Sequence, residues 1–180
     1  SYHEAGRAVI SFLLENVSSP SKVSIIPRTK GSLGFSQSIP SYEKKLYSNN
    51  ELMEQIMVLM GGRVAEEIIF NEVTTGASDD INKLNEIARN IVGTYCMTYN
   101  LNMNKFDLDT KNNFWRKESE EKISNFDKEV DKIINMCYEK TKEILNDNIL
   151  FLKTIQSKLL KEETIISDDI ETIYMTIKNK

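Results

Sequence analysis

Apolar residues recur at helical spacing at both ends of the chain, and switch to alternation only once, between residues 22 and 39. The first helical stretch runs to about Glu15, turning Ala8, Phe12 and either Val9 or Leu13 toward a core before Ser18-Ser19-Pro20 breaks it. The alternating runs, Lys22 to Ile26 and Ser32 to Ile39, place Val23 and Ile25 on one face and Leu33, Phe35, Gln37 and Ile39 on another. With Pro27 to Gly31 as the turn, they predict a β-hairpin. Ser48-x-x-Glu51 is a capping box that opens a second long helix, with Leu52, Ile56, Leu59 or Met60, and Val64 inward.

Inside that helix Gly61-Gly62 costs roughly 1 kcal/mol per glycine relative to alanine, which predicts a close backbone approach, with the first helix as the neighbour. Thr74 to Ser78 forms a turn into a helix reaching about Met97, striped by Ile81, Leu84, Ala88, Ile91 and Tyr95. Residues 99–117 are polar, with Asn102, Asn104, Asn112 and Asn113, and are expected as a loop from which Phe114 and Trp115 pack on the bundle or on a neighbouring subunit. A long amphipathic helix follows over about 119–146, facing Ile123, Phe126, Val130, Ile133, Ile134, Cys137, Thr141 and Ile144 inward. One more helix runs through Leu160, and a last one is capped by Asp168-x-x-Glu171. The expected fold class is therefore mainly α with one small β-hairpin or ribbon beside the first helix, a single domain over 1–180 with a core in 1–98, a loop at 99–117 and a C-terminal helical bundle at 118–180.

Composition changes this picture little. With 40% hydrophobic and 28% charged residues the chain has the make-up of a globular domain, and its net charge of −4 argues against a nucleic-acid partner. No apolar run approaches the roughly 20 residues that cross a bilayer, and no G-x-x-x-x-G-K-[ST] phosphate loop occurs. Cys96 and Cys137 both fall on the apolar side of a helical pattern and read as small buried hydrophobes rather than as a disulfide or metal ligands.

The chemistry is concentrated in the first helix. His3-Glu4-Ala5-Gly6-Arg7 matches H-E-x-x-H except at its last position. Residues 3 and 7 project from one face, and Glu4 lies about 100° around from His3, as a general base beside a zinc-bound water requires. Arg7 has only donors and stays protonated, so it offers no lone pair to a metal. His3 is the one histidine of the chain. Asp79 and Asp80 sit in the first turn of a helix, where the dipole favours negative charge; Asp80 is placed to be a ligand and Asp79 to be a cap or solvated. Of Glu66 and Glu67, one is expected to face the site behind the metal ligands and the other to be solvated.

Several further segments, in order, strengthen one resemblance: Val23-Ser24-Ile25-Ile26-Pro27-Arg28, Gly34-Phe35-Ser36-Gln37, Gly61-Gly62-Arg63-Val64-Ala65-Glu66-Glu67-Ile68 and Thr74-Thr75-Gly76-Ala77-Ser78-Asp79-Asp80-Ile81. Over residues 2 to 100 the chain resembles the peptidase domain of the FtsH family of ATP-dependent zinc metalloproteases, and the wording around Pro27 is most similar to the mitochondrial inner-membrane (m-AAA) branch. The resemblance implies His3 and Asp80 as zinc ligands, Arg7 in place of the third, and Glu4 as catalytic base. It also implies a ribbon of Leu33, Gly34, Phe35 and Ser36 that pairs with extended polypeptide substrates. It further implies a homo- or hetero-hexamer, ATP and magnesium in a module outside this chain, a membrane anchor also outside it, and an organelle inner membrane, mitochondrial or plastid. Two functions then compete, a zinc metalloendopeptidase and a catalytically silent relative kept as a hexamer scaffold or substrate-handling module. They differ at Arg7. A guanidinium about 6 Å from a divalent ion is repelled by roughly 5 kcal/mol at an effective dielectric near 20, on top of the lost ligand.

Overall fold

The computed structural model describes residues 1–26, 35–38, 46–72, 74–98 and 120–179. The expected turn at Pro27 to Gly31, ribbon positions Leu33 and Gly34, and the 99–117 loop with Phe114 and Trp115 lie outside the described residues. Six α-helices are described, α1 (Tyr2–Leu13), α2 (Asn49–Phe70), α3 (Ser78–Arg89), α4 (Glu120–Asp147), α5 (Ile149–Glu162) and α6 (Ser167–Lys178), with strands β1 (Pro20–Ser24), β2 (Phe35–Ser38) and β3 (Thr164–Ile166). The chain is mainly α, as its periodicity predicts.

Helix α1 buries Ala5, Gly6, Ala8, Val9 and Ile10, leaving Phe12 and Leu13 half-buried. It stops at Leu13 rather than Glu15, because the next residues have better partners elsewhere: Leu14 turns extended, and the Asn16 main-chain and side-chain nitrogens both donate to the Glu54 carboxylate at 2.7 Å. Ser11 Oγ, buried, donates to the Ser18 carbonyl at 2.9 Å and fixes the exit. Helix α2 begins at the capping box, Glu51 N donating to Ser48 Oγ at 3.3 Å and Ser48 N to Glu51 Oε2 at 2.7 Å. Of the alternatives on its stripe, Met60 is buried and Leu59 half-buried.

The two helices meet where the glycines are. A Cβ on Gly6 would collide with the Gly61 carbonyl oxygen and come within 2.5 Å of Ala65 Cβ, and one on Gly61 would lie 2.9 Å from the Gly6 oxygen. The backbones touch, so the helical cost of the glycines is offset by packing that no larger residue permits. On the other side of α2 lies α4, which turns Phe126, Val130, Ile133, Cys137, Thr141 and Leu145 inward. Cys137 is buried against Met53, and burial pushes its thiol up to about 11.

Three details depart from the periodicity. The helix expected to reach Met97 ends at Arg89 and continues as a π-helical turn, Asn90–Thr94, in which Tyr95 N donates to Asn90 O at 2.8 Å. The wider turn rotates the following side chains out of phase, so Tyr95 is 51% exposed instead of joining the stripe. Cys96 lies past this turn in a left-handed conformation (φ 51°), half-buried rather than on a buried helical face. At the last helix, the carboxylate that caps is Asp169, not Asp168: its Oδ2 accepts from Ile166 N at 3.1 Å, and its other oxygen pairs with Lys158 at 3.0 Å.

The sheet also gains a strand. β1, beginning at Pro20 rather than Lys22, sits in the middle, antiparallel to β2 (Val23 opposite Ser36) and to β3 (Val23 opposite Ile165). Phe12 meets Phe151 and Tyr174 edge-on, and those two rings are tilted against each other, centroids 5.2–5.7 Å apart, so the cluster ties α1 to α5 and α6. The apolar core is thus continuous from the first helix to the last.

Replacing Gly6 with alanine forces α1 and α2 apart. Urea unfolding of Gly6→Ala is expected to show a loss of at least about 2 kcal/mol; a loss below about 0.5 kcal/mol would mean that the helices separate freely.

Candidate functional site

The close approach of α1 to α2 sets where the first-helix side chains fall. His3 stands over Gly62, where a Cβ would be only 2.6 Å from ring atoms Nδ1 and Cε1, so the ring occupies the space that a side chain at 62 would take. One helical turn on, Arg7 projects in the same direction. Facing both is Asp80, 5% exposed, in the first turn of α3. A 3-10 turn, Thr75–Ala77, leads into α3 and is closed by Thr74 Oγ1, which accepts from Gly76 N at 3.3 Å.

These three side chains converge from positions more than 70 residues apart. Arg7 Nη1 lies 3.0 Å from each oxygen of Asp80, and His3 Nε2 lies 3.2 Å from Oδ2. Glu66 Oε1 approaches His3 Nδ1 to 3.8 Å from the opposite side, while Oε2 accepts from the Thr74 hydroxyl at 3.1 Å. Glu67 points away. It accepts from the Tyr138 hydroxyl and, at 3.1 Å, from Lys142, so it ties α2 to α4 instead of standing on a solvated face. These bonds, the tyrosine's first, hold its carboxyl below the usual range. Asp79 is exposed. Phe35 and Ser36 lie on β2, at the edge of the sheet and against α1.

Charge in the centre is unevenly compensated. Burial works to raise Asp80, but the His3 hydrogen bond and the Arg7 charge outweigh it and keep that carboxyl below its ordinary value. For Glu4, 8% exposed, burial wins over the pull of Arg7 and His3 and its carboxyl is pushed up. Its Oε2 is buried without a hydrogen-bond partner, as is Arg7 Nε.

The model of peptidase family M41 matches residues 1–173. The chain belongs to that family. Among similar proteins are an ATP-dependent zinc metalloprotease FtsH of Thermotoga maritima, 40% identical over 96% of this chain and 29% of that protein, and one of Clostridium perfringens, 39% identical over 96% and 25%. An FtsH 2 of Bdellovibrio bacteriovorus is 37% identical over 99% of this chain and 31% of its own. The chain therefore spans about a quarter to a third of the length of these relatives.

Do the M41 residues present here fit the zinc in those relatives' names? Half of a donor set is in place, since an imidazole nitrogen and a carboxylate oxygen 3.2 Å apart match the roughly 3.3 Å edge of a tetrahedron with zinc bonds near 2.0 Å. The other half is not. Arg7 contributes a fixed positive charge and donates to both oxygens of Asp80, competing with a metal for that carboxylate. Among the described residues no group of three or more His, Cys, Asp or Glu side chains is placed to hold a metal ion. The centre as built does not fit zinc.

Two features, one in the M41 centre and one beside it, do not show in the sequence pattern. Gly62 as the seat of the His3 ring follows only from the interhelical distance. The Glu67 partners could have been sought in the i, i+4 pair Tyr138 and Lys142, but nothing in one sequence aligns α4 with α2.

Asp80→Ala strands a half-buried guanidinium and is expected to lower stability by about 2–4 kcal/mol, an effect that shrinks by more than about 1 kcal/mol in an Arg7→Met background. Equal costs in the two backgrounds, measured by denaturant unfolding, would mean that the pair is not coupled.

Proposed function

We propose that this chain is the peptidase domain of an ATP-dependent, FtsH-type ring protease that handles unfolded or membrane polypeptides, and that its own centre is silent because Arg7 occupies the place of the third zinc ligand. The carrying observation is the contact of Arg7 Nη1 with both oxygens of Asp80 at 3.0 Å. A guanidinium replaces the charge of a metal ion without an empty orbital to polarise a water or a carbonyl. Glu4 keeps the position of a base, but its carboxyl is held up by burial and has no activated water to deprotonate.

In this reading the domain still takes hold of chains. β2 pairs only with β1 among the described strands, and an edge strand next to α1 suits main-chain pairing with an extended polypeptide of any sequence. Glu66 supports His3 and Thr74 at the mouth of the centre. ATP and magnesium belong to a module outside the chain, as does any membrane anchor; no described helix is long and apolar enough to cross a bilayer. The homo- or hetero-hexameric ring rests on the resemblance alone. The organelle inner membrane rests on the resemblance of Val23 to Arg28 to the mitochondrial branch.

Metal analysis of the purified chain tests the core of this reading. Expected are far less than one zinc per chain and no chelator-sensitive cleavage of casein, with Arg7→His gaining metal toward one per chain. About one tightly held zinc in the unaltered chain, with chelator-sensitive proteolysis, would overturn it. Imaging of the tagged full-length protein away from mitochondria and plastids would remove the organelle assignment.

A further inference from the structure

On the far side of α2 from His3, the three helices α2, α3 and α4 enclose a cavity of about 450 Å³ that shares no lining residue with the centre just described. Its size lies within the ~300–1,000 Å³ of ligand pockets. Met60, Val64, Ala77 and Leu84 form a buried apolar floor, and Ile81 and Ile134 form apolar walls. Such a lining favours an apolar group.

The rim carries charge of both signs. Glu67 lines it, but its charge is met by Lys142 at 3.1 Å and its Oε1 also accepts from Tyr138. Arg63, one turn before Glu67, makes no hydrogen bond and no ion pair among the described residues, although its charge is near enough to help hold the Glu67 carboxyl down. The mouth therefore presents one guanidinium whose fork of donors matches a carboxylate. Two carboxamides flank the same mouth. Asn85 donates Nδ2 to the Ile81 carbonyl at 2.8 Å, leaving its Oδ1 to accept, and Asn135 stands exposed beside Ile134. Amides of this kind pair with peptide groups and have no counterpart on a hydrocarbon chain.

We propose that this cavity captures the C-terminal end of a polypeptide finishing in an apolar residue. The last side chain fills the apolar floor, the terminal carboxylate pairs with Arg63, and the preceding peptide group bonds to the Asn85 and Asn135 carboxamides. The inference rests on the cavity alone, so it stands or falls independently of the metal content of the centre.

The test follows the methyl signals of Ile81, Leu84 and Ile134 by NMR while the chain is titrated with acetyl-Ala-Ala-Leu, its C-terminal amide, and decanoate. The free acid is expected to shift these methyls and to bind about tenfold tighter than the amide, the margin of one charge-assisted pair. Arg63→Gln should abolish that margin while leaving the methyl spectrum of a folded chain, and Leu84→Trp should fill the cavity and abolish binding of both peptides. Absence of methyl shifts, or equal affinity for acid and amide in the unaltered chain, overturns the proposal. Tighter binding of decanoate than of the acid peptide overturns it in favour of a fatty-acid site.

Discussion

The architecture depends on two helices touching backbone to backbone. Where α1 crosses α2, Gly6 and Gly61 leave no room for a Cβ on either, and Gly62 yields its side-chain volume to the His3 ring. Everything in the centre is measured from that contact. If the helices stood even a methyl group further apart, His3 would lose its seat and the distance from Arg7 to Asp80 would grow. The glycines that weaken α2 as a helix are thus what make the first-helix side chains point at α3 rather than at solvent.

Once that geometry is imposed, the sign and shape of the side chain at residue 7 decide the chemistry. The surroundings are anionic: Asp80 accepts from Arg7, Glu4 feels its charge, and Glu66 lies 3.8 Å from the neighbouring His3. Arg7 satisfies the electrostatic need from within the chain. It does so with a diffuse, permanently protonated group that forms hydrogen bonds in fixed directions. The ion pairs and hydrogen bonds of Arg7 and His3 thus hold Asp80 in place, while two buried polar atoms, Glu4 Oε2 and Arg7 Nε, are left without partners.

How much of this could be read from residues alone differs sharply by level. The capping box at Ser48 and Glu51 and the inward faces from Phe126 to Thr141 are local or periodic, and the sequence pattern carries them. The glycine pair carried the expectation of close approach, because nothing local explains its cost. The π-helical turn after Arg89 escaped because one extra residue in a turn leaves no trace in a 3.6-residue period until its effect on Tyr95 is seen. β3 escaped because three residues between two helices are too few to show alternation, and the cap at Asp169 because two acids stand side by side. The juxtaposition of His3 and Arg7 with Asp80 spans more than 70 residues and reached the sequence only through family resemblance. Periodicity does not set such distances.

β1 is held on one side by β2, about a dozen residues downstream, and on the other by β3, where Val23 meets Ile165 and Ile25 N donates to Glu163 O at 3.0 Å. The second of these pairings closes a loop of roughly 140 residues, so the contact order of the sheet is set by its shortest strand. During synthesis the ribbon beside α1 must wait, with one edge unpaired, until nearly the whole domain has been made. This ordering means that the growing chain carries a bare β1 edge with unpaired main-chain groups, which only β3 later covers.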